Sequence, residues 1–138
     1  MKIAVSACLL GENCKYNGGN NYSEKVMDFI KGHEVLSICP EVLGGLPTPR
    51  ESAEIVDGVV RHKDGSSVDK EFREGAEIAL KMVMENHIDL VILQSRSPSC
   101  GVNSVYDGTF SGKIIPGQGV FAELLRKNNI KVMDAADF

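Results

Sequence analysis

The stretch that decides the fold is Leu90-Val91-Ile92-Leu93-Gln94-Ser95-Arg96-Ser97-Pro98-Ser99-Cys100-Gly101. Its apolar first part is typical of a strand buried on both faces, and its small polar residues are typical of a closely packed loop. The same pattern occurs twice more, where residues 2–7 lead into Cys8 and residues 34–38 lead into Cys39. The sequence therefore predicts three strands that each end at or near a cysteine.

Helical patterns separate these strands. Ser23 is predicted to cap a short helix, and Asp69 is predicted to cap a long helix over about residues 70–86. Gly75 lies inside the long helix, where we expect it to permit close contact between the helix and the sheet. A last helix and a fourth strand follow in the final third of the chain. Strands that alternate with helices indicate right-handed crossovers and a parallel sheet.

Two Asp-Gly pairs between β-branched or aromatic residues predict small hairpins, over residues 55–60 and 105–110. We expect both to lie outside the main sheet. The predicted fold class is α/β: a single domain over residues 1–138, with a mostly parallel sheet of about four strands, flanking helices and the two hairpin excursions.

The composition narrows the class of partner and the compartment. A chain of 138 residues with a net charge of −4 and no basic run does not favour a nucleic-acid or anionic membrane surface. Its apolar stretches are too short for a membrane span, and its N-terminus does not have the pattern of a signal peptide. We expect a cytoplasmic protein. Four cysteines in a reducing compartment favour metal ligands or reactive thiols over disulfides.

The cysteine positions favour a site assembled from distant loops. The carboxyl ends of parallel strands lie along one edge of a sheet, so Cys8, Cys39 and Cys100 are expected to meet there. Cys8 and Cys14 are spaced as in neither a zinc knuckle nor a thioredoxin-type motif. Spacing alone leaves zinc, an iron–sulfur cluster and buried free thiols as alternatives.

Four other polar residues in these loops are candidates for chemistry. Glu41 follows Cys39 closely and is placed to act as a general acid or base if Cys39 binds a metal. Ser97 and Ser99 are suited to orient a substrate or water, although serines in turns also bond their own backbone. Arg50 is suited to bind an anionic or carbonyl group, or to form a surface ion pair.

Four motifs spread over nearly the whole chain are unusual enough to be specific. They are Ser6-Ala7-Cys8-Leu9-Leu10-Gly11 with Cys14, Cys39-Pro40-Glu41 with Gly44-Gly45-Leu46-Pro47-Thr48-Pro49-Arg50, Ser95-Arg96-Ser97-Pro98-Ser99-Cys100-Gly101, and Tyr106-Asp107-Gly108-Thr109-Phe110. Together they resemble the thiouracil desulfidase family, a bacterial and archaeal group long described as a domain of unknown function. The resemblance implies a [4Fe-4S] cluster that three cysteines hold, with one iron open to a thiocarbonyl sulfur. It also implies that water replaces that sulfur without net redox change, with help from a glutamate and a serine.

Carried over by position, the resemblance implies that the metal ligands are Cys8, Cys39 and Cys100. The catalytic residues implied are Glu41 and Ser97, and we assign substrate binding to Ser99 and Arg50. Two alternatives stay open: Cys14 replaces one of the three ligands, or Ser99 is the assisting serine.

Two functions of different classes follow. The first is a desulfidase that uses the cluster to remove sulfur from a small thiolated nucleobase such as 2-thiouracil. The second is a non-catalytic metal-binding or sulfur-carrier module in which the same cysteines hold zinc or iron. Glu41 discriminates between them, because a carrier has no need of an acid/base group beside the metal. The sequence makes no prediction of the oligomeric state.

Overall fold

The main sheet has four parallel strands. A computed structural model describes residues 1–138, and its sheet has the strand order β2-β1-β5-β8. The strands are β1 (Lys2–Ser6), β2 (Glu34–Ile38), β5 (Leu90–Leu93) and β8 (Val132–Asp134). All neighbouring strands pair in parallel, and β5 is an interior strand whose four residues are all buried. The predicted α/β fold with a four-stranded parallel sheet is confirmed.

Helices cover both faces of this sheet. They are α1 (Glu24–Ile30), α2 (Pro40–Leu43), α3 (Asp69–Glu85) and α4 (Val120–Lys127), with short 3₁₀ helices at Ala7–Leu10 and Ala135–Asp137. None of them combines the length and apolar character needed to cross a membrane. The predicted cap of α1 is confirmed, because the Ser23 hydroxyl accepts a hydrogen bond from the Val26 amide at 3.2 Å.

The predicted cap of α3 is wrong. Val68 occupies the N-cap position, and Asp69 is the first helical residue. The Asp69 carboxylate instead accepts a hydrogen bond from the backbone amide of Val60 at 3.0 Å. An Asp in the first turn still interacts favourably with the helix dipole. Here the same side chain also ties the helix to the hairpin that precedes it.

The core forms as two layers because successive strand residues point to opposite faces. Ala4 and Val91 face α3 and α4, where they pack with Phe72 and Phe121. Side chains of the alternate strand positions pack against α1 in a second, smaller cluster: Ile3, Val5, Leu90 and Ile92 with Val26 and Ile30. Because these strands are buried on both faces, their sequences are continuous apolar runs and do not alternate between apolar and polar residues.

Gly75 permits a close contact, but not with the sheet as expected. A Cβ at Gly75 would collide with the carbonyl oxygen of Pro40, and a Cβ at Gly44 would collide with the carbonyl oxygen of Glu71. The two glycines therefore let α2 and α3 approach backbone to backbone. Because α2 begins directly after Cys39 and contains Glu41, this contact fixes the position of the helical turn that carries Glu41.

Two antiparallel hairpins lie outside the main sheet, as predicted. The first pairs β3 (Ala53–Val56) with β4 (Val59–His62) around the Asp57-Gly58 turn, as expected. The second differs from its prediction, because β6 (Ser104–Tyr106) pairs with β7 (Ile114–Pro116), across a longer loop.

The second hairpin differs from its prediction because of contacts made by the loop between β6 and β7. The carboxylate of Asp107 accepts hydrogen bonds from the backbone and side chain of Thr109, which closes a local turn. Glu54 of β3 accepts from the amides of Gly108 and Phe110, at 2.9 and 3.2 Å. The Asp-Gly pair therefore docks this loop onto the first hairpin.

Candidate metal centre and carboxylate site

One cavity of about 580 Å³ lies at the edge of the sheet where β1, β2 and β5 end. It contains every residue that the sequence analysis assigned to the site. Its lining includes Cys8, Cys14, Cys39, Glu41, Arg50, Ser97, Ser99 and Cys100. The parallel arrangement brings these distant segments together, because it sends all three strand ends to the same edge.

Each cysteine enters the cavity from a different structural setting. Cys8 lies in the 3₁₀ helix that follows β1, and Cys39 is the N-cap residue of α2. Cys100 lies in the loop after β5 and is only 4% exposed. Cys14 lies in the irregular loop before α1 and is half-buried. None of the four forms a disulfide, so all four thiols are free.

Three of the four thiols, those of Cys8, Cys14 and Cys100, have a raised pKa and so favour their protonated form. Burial raises the pKa of Cys100, and it also raises the pKa of Cys8, to which the nearby Cys39 and Glu41 add. Burial raises the pKa of Cys14 to about 12, with a further contribution from Cys39. A thiolate is costly here because negative charge is removed from water beside other acidic groups. A bound metal ion would reverse this preference, since ligation deprotonates a thiol.

Glu41 is held from both sides. Its Oε1 atom accepts hydrogen bonds from Arg50, at 3.1 Å from Nη2 and 3.2 Å from Nε. Its Oε2 atom accepts from the Ser99 hydroxyl at 2.8 Å and lies 3.4 Å from the Ser97 hydroxyl. One carboxylate oxygen therefore neutralises a buried cation while the other faces the serines of the β5 loop.

Arg50 is saturated by protein acceptors. Besides Glu41, its guanidinium donates to the carbonyl of Pro47, the hydroxyl of Thr48 and the carbonyl of Cys14, at 3.2, 3.1 and 3.0 Å. These bonds match the five N–H groups that a guanidinium offers. Arg50 lines the cavity, but its N–H groups already donate to Glu41 and to acceptors in the two loops that contain Cys14 and residues 47–48.

The two candidate serines differ in their surroundings. Ser97 is half-buried, and its hydroxyl oxygen accepts from the amides of Ser99 and Cys100, at 3.1 and 3.2 Å. Ser99 is only 1% exposed and lies 3.5 Å from the Cys100 sulfur. The two hydroxyls are 2.9 Å apart. The structure therefore brings both serines together with Glu41 in one hydrogen-bonded group.

Two residues that support the site were missed from sequence. The hydroxyl of Ser6 accepts from the amide of Gln94 at 3.0 Å and also bonds Cys100. Asp134, 3% exposed, accepts from the Ser95 hydroxyl and from the amide of Val102 at 3.3 Å. Asp134 ends β8 just as the cysteines follow the other strands, so its place at a strand end was the available signal.

The donor set suits a multi-iron cluster better than a single ion. Thiolates are the ligands that iron–sulfur clusters and other soft metal centres prefer, and the cavity has no histidine in its lining. No three cysteine, histidine or carboxylate side chains lie close enough together to hold one metal ion. A zinc ion needs its thiolates within about 4 Å of one another, at Zn–S distances of about 2.3 Å. A cubane instead takes each thiolate on a separate iron, so it suits thiols that reach one cavity from separate strand ends, as those of Cys8, Cys39 and Cys100 do.

Fold and site together define a class of protein: a small α/β domain with a thiol-lined cavity and a clamped carboxylate. Comparison with known families specifies it further. The family model described as 2-thiouracil desulfurase matches residues 3–137, so the chain belongs to this family.

Two relatives place the chain within this family. An uncharacterized protein of Bacillus subtilis (strain 168), YbbK, is 40% identical over 141 residues, which cover 95% of this chain and 93% of the relative. The solved structure of a [4Fe-4S]-dependent thiouracil desulfidase, TudS, superposes with a TM-score of 0.92 at 39% identity. That match covers 99% of this chain and 92% of the other.

Proposed function

We propose that this chain is a [4Fe-4S]-dependent desulfidase that removes sulfur from a small thiolated nucleobase such as 2-thiouracil. The observation that carries the proposal is Glu41, which contacts two serines at the edge of a cavity that four thiols line. Family membership and the similarity to TudS support the same function. The reaction replaces a thiocarbonyl sulfur by the oxygen of water and releases hydrogen sulfide, so no electrons are gained or lost.

The metal ligands proposed are Cys8, Cys39 and Cys100. They reach the cavity from three separate strand ends, which suits a cluster that distributes its ligands over different irons. When bound, the cluster supplies a Lewis-acidic iron for a soft sulfur donor. Zinc is the alternative metal, and the spread of the thiols disfavours it.

Glu41 is the proposed general acid and base. Replacement of sulfur by water requires a group that takes protons from the water and gives them to the departing sulfur. The Oε2 atom of Glu41 is suited to this because Arg50 engages only the other oxygen. The Ser97 hydroxyl lies beside Oε2 and is more accessible than Ser99, so we assign to Ser97 the contact with the attacking water.

Arg50 acts on Glu41 in this proposal. The sequence analysis assigned it to substrate binding, yet protein acceptors use its donors. Two of its N–H groups donate to the same carboxylate oxygen, Oε1, which holds the Glu41 side chain in place and leaves Oε2 facing the serines. Ser99, which donates to the same carboxylate at 2.8 Å, supports the base from the other side.

The proposal also includes the cellular compartment and the class of substrate. Four free thiols and an oxygen-sensitive type of cofactor suit a reducing cytoplasm. The net charge of −4 does not suit nucleic acid as a substrate. We therefore propose a cytoplasmic single-domain enzyme, over residues 1–138, that acts on free small molecules.

The test is anaerobic purification followed by iron and sulfide analysis and a sulfide-release assay with 2-thiouracil and other thiolated bases. The expected result is a [4Fe-4S] spectrum with turnover, and Glu41→Gln is expected to keep the cluster but lose about 10²–10⁴-fold in rate. Glu77→Gln on the exposed side of α3 serves as the matched control and is expected to behave as wild type. Sulfide release at the normal rate by Glu41→Gln would remove Glu41 from the chemistry. A fully loaded protein that releases no sulfide from any thiolated base would favour a carrier.

A further inference from the structure

One of the four sequence motifs, Tyr106-Asp107-Gly108-Thr109-Phe110, has no part in the proposed reaction. Its first and last residues, Tyr106 and Phe110, nevertheless line the same cavity as the thiols, and both side chains are half-buried. The motif belongs to the second hairpin and its loop, not to the strand ends that carry the cysteines. It therefore supplies an aromatic part of the cavity wall from a separate segment of the chain.

Phe110 differs from the other four phenylalanines, which are used in packing. Phe72 and Phe121 belong to the larger core cluster. Phe29 and Phe138 pack edge to face, with their ring centroids 5.0 Å apart. Phe110 belongs to neither hydrophobic cluster and pairs with no other ring. Its ring is therefore an aromatic surface that the fold leaves available at the cavity wall.

The backbone of Phe110 has a conformation that bulky residues rarely adopt. Its φ angle of +57° lies in the left-handed region. Gly108, with a φ angle of +91°, lies so close to the first hairpin that a Cβ there would be 2.7 Å from the carbonyl oxygen of Ile55. Backbone strain of this kind persists only where surrounding contacts enforce it, and it is concentrated at ligand sites.

Glu54 provides the contact that holds this segment. Its Oε1 atom accepts hydrogen bonds from the amides of Gly108 and Phe110, at 2.9 and 3.2 Å. Glu54 lies on β3 of the first hairpin and itself lines the cavity. The position of the Phe110 ring therefore depends on a side chain of the other hairpin.

We propose that Phe110 determines specificity by stacking its ring on the flat face of the thiolated base, and that Glu54 is the residue that positions this ring. The inference rests on the proposed function, because it concerns the substrate of the same cavity. Aromatic side chains stack on the faces of bases without hydrogen bonds to them. The substrate class selected by such a wall is a flat aromatic heterocycle with a thiocarbonyl group, in preference to a puckered thiourea.

The test of Phe110 compares cluster-loaded wild type with Phe110→Leu and Phe110→Trp under anaerobic conditions. Leucine keeps an apolar side chain without an aromatic face, and tryptophan offers a larger face. Phe29→Leu is the matched control, because it removes a partly exposed ring outside the cavity. Sulfide release gives kcat and KM for 2-thiouracil and for its 5,6-dihydro form, which has a puckered ring. Calorimetric titration with uracil measures binding of the ring without turnover.

Phe110→Leu is expected to weaken uracil binding and to raise the KM for 2-thiouracil at least about fivefold, the lower end of what base stacking contributes, with little change in kcat. Wild type is expected to prefer 2-thiouracil over its dihydro form about 2–10-fold, and Phe110→Leu should lose this preference. Phe110→Trp should keep both properties. The proposal would be overturned by wild-type KM and preference in Phe110→Leu, by equal losses in Phe29→Leu, or by a wild type that binds no uracil.

The positioning role is tested with Glu54→Ala and Glu54→Gln. Alanine releases both amides, so KM should rise as it does in Phe110→Leu. Glutamine keeps an acceptor oxygen of about half the strength and should stay within about threefold of wild type. Glu51→Ala is the matched control, because Glu51 is an exposed carboxylate that lines the same cavity without contacting this loop. An equal loss in Glu51→Ala, or no recovery in Glu54→Gln, would remove Glu54 from this role.

The double variant Glu54→Ala/Phe110→Leu tests whether the two residues act together. If Glu54 acts through Phe110, its loss should add little to the effect of Phe110→Leu, and fully additive losses would contradict this. A failure of the proposed function would be seen differently. A loaded wild type that releases no sulfide would contradict the desulfidase, whereas uracil binding by wild type and Phe110→Leu would still decide whether the ring stacks.

Discussion

The loop after β5 and the loop after β1 deliver cysteines to the same cavity but are built differently. Residues 95–101 are tied to the start of α4, where Val120 and Phe121 donate to the carbonyls of Pro98 and Ser99, both at 2.8 Å. Residues 11–23 are tied to the 3₁₀ helix at residues 7–10, whose carbonyls accept from the amides of Glu12, Asn21 and Ser23. They also contact Arg50, which bonds the Cys14 and Tyr16 carbonyls. The difference lies in what each loop is bonded to: the Cys100 loop is anchored on a helix of the core, whereas the Cys14 loop is anchored on a short 3₁₀ helix and on Arg50.

The largest effect expected from this difference is on iron content. Cys100→Ser should lower iron from about four per chain to close to none, because a hydroxyl is a poor ligand for a soft metal site. Cys14→Ser should keep a cluster. Iron and sulfide analysis after anaerobic reconstitution measures both. Stoichiometric iron in Cys100→Ser, or none in Cys14→Ser, would contradict the choice of Cys100 rather than Cys14 as a ligand.

A smaller effect is expected on the stability of the protein without its cluster. Asp134→Asn leaves the Ser95 hydroxyl and two backbone amides with fewer acceptors, which should cost about 1–3 kcal/mol in free energy of unfolding. Asn20→Ala removes an exposed hydrogen bond to Asn13 in the other loop and should stay within about 0.5 kcal/mol. Urea denaturation under reducing conditions gives both values. An equal cost in the two loops would contradict the expectation that the buried contacts of Asp134 matter more to stability than the exposed contact of Asn20.

Within the β5 loop, the two serines should separate in their effect on turnover. Ser97→Ala removes one neutral hydrogen-bonding group, worth about 0.5–1.5 kcal/mol, so turnover should fall up to about tenfold with the cluster intact. The sulfide-release assay measures the change against iron content. Ser99→Ala is the paired variant. A greater loss of turnover in Ser99→Ala, at equal iron content and stability, would make Ser99 the assisting serine.

The smallest expected effect is on how the stability of the cluster-free protein depends on pH, and it comes from the buried thiol of Cys100. Burial raises the pKa of Cys100 above the unfolded value of 9.0, so the folded state holds that proton more tightly than the unfolded state. The stability this provides is fully present below pH 9.0 and declines as the pH rises beyond it. Urea denaturation of the cluster-free protein at several pH values should show this decline. Cys100→Ala should make it shallower, with the raised pKa values of Cys8 and Cys14 accounting for part of what remains. A pH-independent stability above pH 9.0 would contradict the burial of this thiol.

The sequence was sufficient to predict elements whose signal is local. The β5 strand was predictable because Leu90–Leu93 is a short apolar run that opens into small polar residues. The meeting of the cysteines followed from the strand ends together with the topology rules for parallel sheets. The contact between Arg50 and Glu41 was not predictable, because nothing in a separation of nine residues specifies that two guanidinium N–H groups donate to one carboxylate oxygen.

Two predictions, the second hairpin and the cap of α3, were wrong because contacts in the tertiary structure overrode the local pattern. The Asp107-Gly108 pair is typical of a hairpin turn. In the structure, however, the carboxylate of Glu54 accepts from the amide of Gly108 and holds the pair against the first hairpin. Asp69 reads as a cap, but the hairpin amide of Val60 competes for its carboxylate. In each case a partner distant in sequence overrides the local preference, so the local pattern alone could not give the result.

The close approach of α2 and α3 has a consequence for protein engineering. Gly75 sits inside a helix of 17 residues, where replacing glycine by alanine normally increases stability by about 0.4–1 kcal/mol. Here the added methyl group would push against Pro40 and tilt the single turn that begins at Cys39. A routine thermostabilising substitution in α3 would therefore misalign Glu41, so screens of designed variants should score catalysis as well as melting temperature.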